Sequence, residues 1–179
     1  ALIKNPSLAA EIIQATKEGA GDLPVSVKTR IGFGQIAIEE WIGFLLQQNL
    51  AALTVHLRTV KELSKVPAHW EYMSEIVKLR NELAPETVLS GNGDITTSGD
   101  IQEKFEQYGC EGFMVGRGIF ANPWFFNPSV VMEEKTPQER IDLYLHHINL
   151  YYTRWGDEKN FANLKKFAKT YISNFPDAS

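Results

Sequence analysis

The chain has 179 residues, of which 44% are hydrophobic, and a formal net charge of -4. It is long enough to bury a real core, and it is too acidic to be a globally basic nucleic-acid binder, although a local basic patch stays open. One cysteine, Cys110, rules out an intrachain disulfide framework or a cysteine zinc site and fits a reducing cytosol. No metal site is expected. No apolar run approaches the roughly 18 residues needed to span a bilayer. The opening "ALIKNPSLAAEII" has neither an initiator Met nor a signal-peptide pattern, so residue 1 reads as an internal position.

Asn5-Pro6 reads as an N-cap followed by proline at the first helical position, and Leu8, Ala9, Ile12, Ile13 and Thr16 make one apolar face up to Gly19 and Gly21. "LPVSVKTR", Leu23 to Arg30, is β-branched and bounded by glycine, which predicts a strand. Residues 36–48 place Ile38, Trp41, Ile42, Leu45 and Leu46 on one helical face. "AALTVH" is the next strand, and a loop with Pro67 leads to a helix predicted from about Ala68 to Leu83. "TVLSGN" is the third strand. Thr97-Ser98-Gly99-Asp100 then has the form of a capping box, opening a helix to Gly109, and "GFMVG" is the fourth strand.

Strands alternating with single helices predict βα units on a parallel sheet. Beyond "NPWFFNPS" the character changes. Thr136-Pro137-Gln138-Glu139 starts a helix carrying Ile141, Tyr144, Leu145, Ile148 and Tyr151, and a second helix is predicted from about Phe161 to Ile172. The predicted boundary near residue 130 separates an α/β part, residues 1–130, from a helical part, residues 131–179.

In parallel α/β proteins ligands bind at the C-terminal ends of the strands. This chain puts Lys28 and Arg30 at the first such end, His56 and Arg58 at the second, Asn92, Gly93 and Asp94 at the third, and Gly116-Arg117 at the fourth. Each alone is ordinary: a solvated lysine, a satisfied histidine, an Asn-Gly turn. Four polar, donor-rich strand ends in register suit an anionic, planar, hydrogen-bonding ligand. "VGRGIF" offers backbone N–H groups and a guanidinium to a phosphate, Lys28 could stabilise charge on a reduced ring, and His56 could donate to a ring or phosphate oxygen.

"VKTRIG", "TVHLRT", "AHW", "SGNGDI" and "GCEGFMVGRGIFANPWFF", in this order, resemble the tRNA-dihydrouridine synthase family over nearly the whole chain. The resemblance implies the C-terminal half of a (β/α)8 TIM barrel, about four βα units, followed by the start of a helical domain that binds tRNA. It implies reduction of a uracil base in tRNA by hydride from reduced FMN, with NADPH as the reductant, in the cytoplasm. By likeness, Lys28, His56, Asn92, Gly93, Asp94, Gly116 and Arg117 fall on FMN-contacting positions, and Arg30 and Arg58 fall near the flavin and the entering nucleotide. Lys165, Lys166 and Lys169, with Arg154, Lys159, Tyr152 and Trp155, suit phosphate contact and base stacking.

Two departures stand out. Leu57 occupies the glycine position of the family's "VHGRT", and "KELSKVPAHW" replaces a Gln-Gly-Tyr-rich loop ending in "ADW". The cysteine that protonates uracil in the family is expected before Ala1. Cys110, in "YGCEGF" on the opposite side of the sheet, does not take that role. A half barrel would leave two parallel edges and an apolar inner face open, which predicts self-association. Two other readings stay open: another FMN-dependent barrel oxidoreductase acting on a small metabolite, and an inactive truncated fragment.

Overall fold

The computed structural model describes residues 1–172; the end of the predicted 131–179 helical part lies outside the described residues. The chain divides into two compact units, Ala1–Gly116 and Arg117–Ser179. The change of character read near residue 130 falls inside the second.

Unit one carries a four-stranded, all-parallel sheet in the order β1-β2-β3-β4. The strands are β1 Ser26–Arg30, β2 Ala52–His56, β3 Val88–Asn92 and β4 Gly112–Met114. Helix α1, Pro6–Ala20, precedes β1; the side chain of Asn5 caps it by accepting the Leu8 N–H at 3.2 Å, and Ala9 and Ile13 are its buried face. Between β1 and β2 the predicted helix is a π-helical stretch, Ile38–Gly43, running into a single α turn, α2, Phe44–Leu46. Ile38, Trp41, Ile42, Leu45 and Leu46 are all buried, and the Trp41 indole donates to Thr29 Oγ1 at 2.8 Å.

Helix α3, Met73–Leu83, begins later than the sequence suggests, after a 3-10 turn at Trp70–Tyr72. The reason is that the backbone before it is already committed: Ala68 N–H donates to Asp94 at 2.8 Å and His69 N–H to the Leu57 carbonyl at 2.7 Å. Helix α4, Ser98–Tyr108, has the predicted capping box between Thr97 and Asp100 and ends at Gly109, whose φ of +72° only glycine adopts at little cost. The Asp100 carboxyl is held down at about 2; burial works against this, but N–H groups of Thr96 and Thr97 and both threonine hydroxyls outweigh it.

Strand alternation sorts the two faces of the sheet. Leu53, Val55 and Leu89 turn to the helices and are fully buried with Met73, Ile76 and Leu46. Lys28, Thr54, His56, Ser90 and Asn92 lie on the other face. That face is therefore largely polar, not the apolar surface the sequence predicts, because the long aliphatic residues of β2 and β3 occupy the intervening positions.

In the second unit, α5, Gly118–Ala121, is one short turn and α6, Pro137–Trp155, is a 19-residue helix opened by the predicted Thr136–Glu139 capping box. Its apolar stripe is only half-buried, and Leu145 is half exposed. The predicted helix from Phe161 to Ile172 is two short pieces, α7 Ala162–Lys165 and α8 Ala168–Tyr171. The break falls at Phe167, which packs on Phe120 with ring centres 5.4 Å apart and lies beside His147. Tyr171 accepts or donates at 2.9 Å to His147 Nδ1 and stacks on Tyr144.

Candidate functional site

Parallel register brings Arg30, His56, Asn92 and Met114 into one row across the C-terminal ends of the strands, with Lys28 one pleat behind Arg30. The sequence placed the first three at strand ends by chain position, and the sheet makes them neighbours. Asn92 Nδ2 donates to the Met114 carbonyl at 2.6 Å, tying β3 to β4 at that row.

Arg30 reaches over the loop after β2, donating from Nη1 to the carbonyls of Thr59 at 2.8 Å and Leu63 at 2.9 Å. Arg58 is almost wholly buried. Its Nε donates to the Val66 carbonyl at 2.6 Å, Nη1 donates to His56 Nε2 at 3.1 Å, and Nη2 forms an ion pair with Asp94. Thus Arg58, read from the sequence as facing an entering nucleotide, is bound to protein groups at each nitrogen of its fork. Leu57, at the position where the family pattern has glycine, is fully buried.

The "SGNGD" backbone carries two unusual conformations, φ +133° at Gly93 and φ +49° at Asp94. A side chain at Gly93 would also collide with Ala68, with Cβ atoms 2.6 Å apart. The Trp70 indole donates to the Gly93 carbonyl at 2.9 Å. Gly116 stands in open space, two residues beyond the end of β4. Arg117 follows it as the first residue of the second unit.

Electrostatically the row is cationic. Burial, then Arg30, lowers the Lys28 pKa; burial, then Arg58, lowers that of Arg30, with Glu62 opposing. His56 is pushed down to about 4 by burial and by Arg30, Lys28 and Arg58, against a smaller pull from Asp94. Three cations and a neutral imidazole face one carboxylate, a set suited to an anion that also accepts hydrogen bonds.

Two contributors were not legible in the sequence. His69 bridges Glu62 at 2.9 Å and Glu71 at 3.1 Å, and Glu62 also accepts the Thr59 N–H at 2.6 Å, so this pair braces the loop that holds Arg30. Only the departure from "ADW" marked the spot. Cys110 is fully buried; burial raises its thiol pKa. In the second unit Lys165, Lys166 and Lys169 are exposed, Lys166 lies over the Phe167 ring at 4.9 Å, and Arg154 and Lys159 lie over Trp155 at 5.4 and 5.1 Å. Among the described residues no cluster of three or more metal-ligating side chains occurs, and no helix is long and apolar enough to cross a membrane.

Parallel strands flanked by helices, with polar groups gathered at the strand C-termini, define unit one as part of a (β/α)-barrel-like α/β protein. The chain belongs to the dihydrouridine synthase family, whose model, "Dihydrouridine synthase (Dus)", matches residues 1–179. It is 46% identical over 180 residues to a probable tRNA-dihydrouridine synthase of Staphylococcus aureus (strain Mu50 / ATCC 700699). It is 45% identical to probable tRNA-dihydrouridine synthase 2 of Bacillus subtilis (strain 168), and 44% identical to a probable tRNA-dihydrouridine synthase of Staphylococcus epidermidis (strain ATCC 12228 / FDA PCI 1200). Each alignment covers 99% of this chain but 54% of the relative, so the chain spans about half the length of these relatives.

Proposed function

We propose that this chain forms the C-terminal part of the FMN-binding barrel and the start of the RNA-binding region of an enzyme that reduces uridine to 5,6-dihydrouridine in tRNA, with NADPH as the source of electrons. Family membership supports the reaction. The observation that supports the cofactor is the cationic strand-end row, in which His56 is held neutral by burial and by three positive neighbours, with one partly exposed carboxylate offsetting only part of their charge. Bound there, FMN would supply the hydride chemistry.

The chain's own residues bind and orient. Lys28 offers a desolvated ammonium to a negatively charged ring system, His56 offers one ring N–H, and Asn92, Gly93 and Asp94 form the adjoining wall. Arg30 is assigned to the edge nearest an incoming nucleotide. Gly116 leaves room for close approach by a phosphate, and Arg117 is proposed as its partner from the family resemblance and its place next in the chain. Buried Cys110, its thiol raised by that burial, supports assigning the proton donor for uracil to a group outside this chain. The exposed lysines beside aromatic rings in the second unit are proposed to meet the tRNA backbone, in a cytoplasmic enzyme.

Equilibrium titration of the 179-residue chain with FMN, followed by flavin fluorescence, tests the cofactor assignment. Saturable binding that weakens about tenfold or more in Lys28→Ala and His56→Ala is expected, the loss of roughly one charge-assisted hydrogen bond in each. Absence of FMN binding by the folded chain, or binding indifferent to both substitutions, would overturn it. Dihydrouridine formation in unmodified tRNA, measured with protein that includes this chain, tests the reaction.

A further inference from the structure

We propose that Arg58 and Asp94 are a positioning pair that holds His56 as a neutral imidazole protonated on Nδ1, so that the strand end presents one fixed N–H donor to a carbonyl or ring-nitrogen acceptor of the ligand. The argument begins with valence. A guanidinium has donors only, so the 3.1 Å contact from Arg58 Nη1 makes His56 Nε2 the acceptor and leaves the ring proton on Nδ1.

Arg58 is not free to release that nitrogen. Its side chain is 3% exposed, its Nε donates to the Val66 carbonyl at 2.6 Å, and its Nη2 is paired with Asp94. Asp94 is anchored in turn, since the same Oδ2 accepts the Ala68 N–H at 2.8 Å. The Cδ2–Nε2 edge of the imidazole is the one turned toward Gly93, where an added Cβ would lie 3.4 Å from Cδ2 and 3.6 Å from Nε2. The opposite edge carries Nδ1, and no protein group among the described residues bonds it.

The charged groups facing the ring are Lys28 and Arg30 from β1, Arg58 after β2 and Asp94 after β3. Burial first, and then three cations against one anion, oppose a second proton on the ring, so the donor stays single and directional through neutral pH. A lone N–H set among Lys28 and Arg30 selects an acceptor bearing negative charge, such as a carbonyl or nitrogen of an anionic heterocycle. The ligand part of this inference rests on the flavin reading; the tautomer does not.

Two-bond proton–nitrogen correlation spectra of the 15N-labelled full chain test it, with His56 assigned by its loss in His56→Gln. At neutral pH a protonated Nδ1 and a bare Nε2 are expected, with no titration until the pH nears about 4. In Arg58→Met the ring should become a tautomer mixture and titrate about one pH unit or more higher. Asp94→Asn, whose side chain tolerates the positive φ, should loosen the tautomer but move the titration the opposite way, because the carboxylate's pull on a second ring proton is lost. A proton on Nε2 in the wild-type chain, or an unchanged ring in folded Arg58→Met, overturns the proposal. Should Arg58→Met fail to fold, the wild-type tautomer decides alone. Added FMN should shift the Nδ1 signals; FMN that binds without moving them overturns the donor role, whereas no FMN binding counts against the flavin reading and leaves the tautomer to judge the pair.

Discussion

Trp70 and Gly93 are joined by a buried hydrogen bond, the indole N–H donating to the carbonyl at 2.9 Å across 23 residues of chain. The same ring lies against Gly91, where a Cβ would come within 2.5 Å of its Cη2. One side chain thus sets both the depth and the direction of the chain as it leaves β3, and Phe113 and Tyr108 stack on that ring at 6.1 and 5.7 Å. The left-handed backbone at Gly93 and Asp94 is held there by packing.

Trp70→Phe keeps most of the ring and removes the donor, leaving a buried carbonyl unpaired. A loss of about 1–3 kcal/mol is expected in urea unfolding. Gly91→Ala should cost a similar amount by overpacking against Trp70 and Met73. Wild-type stability in both variants would show that the ring does not support this turn.

His56 and His69 should bend the pH dependence of stability in opposite senses. His69 is raised above its ordinary 6.5, chiefly by its bond to Glu62, so its contribution is complete below pH 6.5 and is lost as pH rises through the folded value. His56 is lowered to about 4, so the unfolded chain takes up its proton first, and stability falls as pH drops from 6.5 towards 4. Unfolding free energies of His69→Gln should therefore lack the decline on the alkaline side, and those of His56→Gln the decline on the acid side. Identical pH profiles for wild type and both variants would refute this.

Replacing Lys165, Lys166 and Lys169 together by glutamate should weaken tRNA binding and flatten its salt dependence. Removing one lysine–phosphate interaction lowers the slope of log K against log salt by about 0.7–0.9. Affinity and slope matching the wild type would place the RNA-binding surface elsewhere.

The outer side of β1 has no strand partner among the described residues, and an open cleft of about 590 Å³ beside it is lined by Ile12, Ile13, Val27, Trp41 and Leu45. The 179-residue chain is expected to self-associate through this edge, and Ile12→Lys should reduce the effect. A monodisperse monomer in light scattering across a wide concentration range is the outcome that excludes it.

Much of the scaffold is local chemistry and was legible as such. The caps at Asn5, Thr97 and Thr136 need only a side chain and the next three residues, and all three form. The four strands announce themselves by β-branched runs between glycines and helices. Helix continuity from Phe161 was misjudged because spacing cannot register that Phe167 packs between Phe120 and His147. The late start of α3 was equally hidden, since the bonds that occupy Ala68 and His69 come from Asp94 and Leu57.

By itself the sequence determined the parallel βα order, the strand ends on which Lys28, Arg30, His56 and Asn92 fall, and the motifs that mark the family, because each depends on residues close together in the chain. Tertiary structure alone decided what those residues can do. Sheet register made Arg30, His56 and Asn92 one row, and folding of the loop after β2 turned Arg58 inward onto Asp94 and His56. A side chain's charge is written in the sequence, but its partners, and hence its protonation and direction, are set by groups that only folding brings within hydrogen-bond reach.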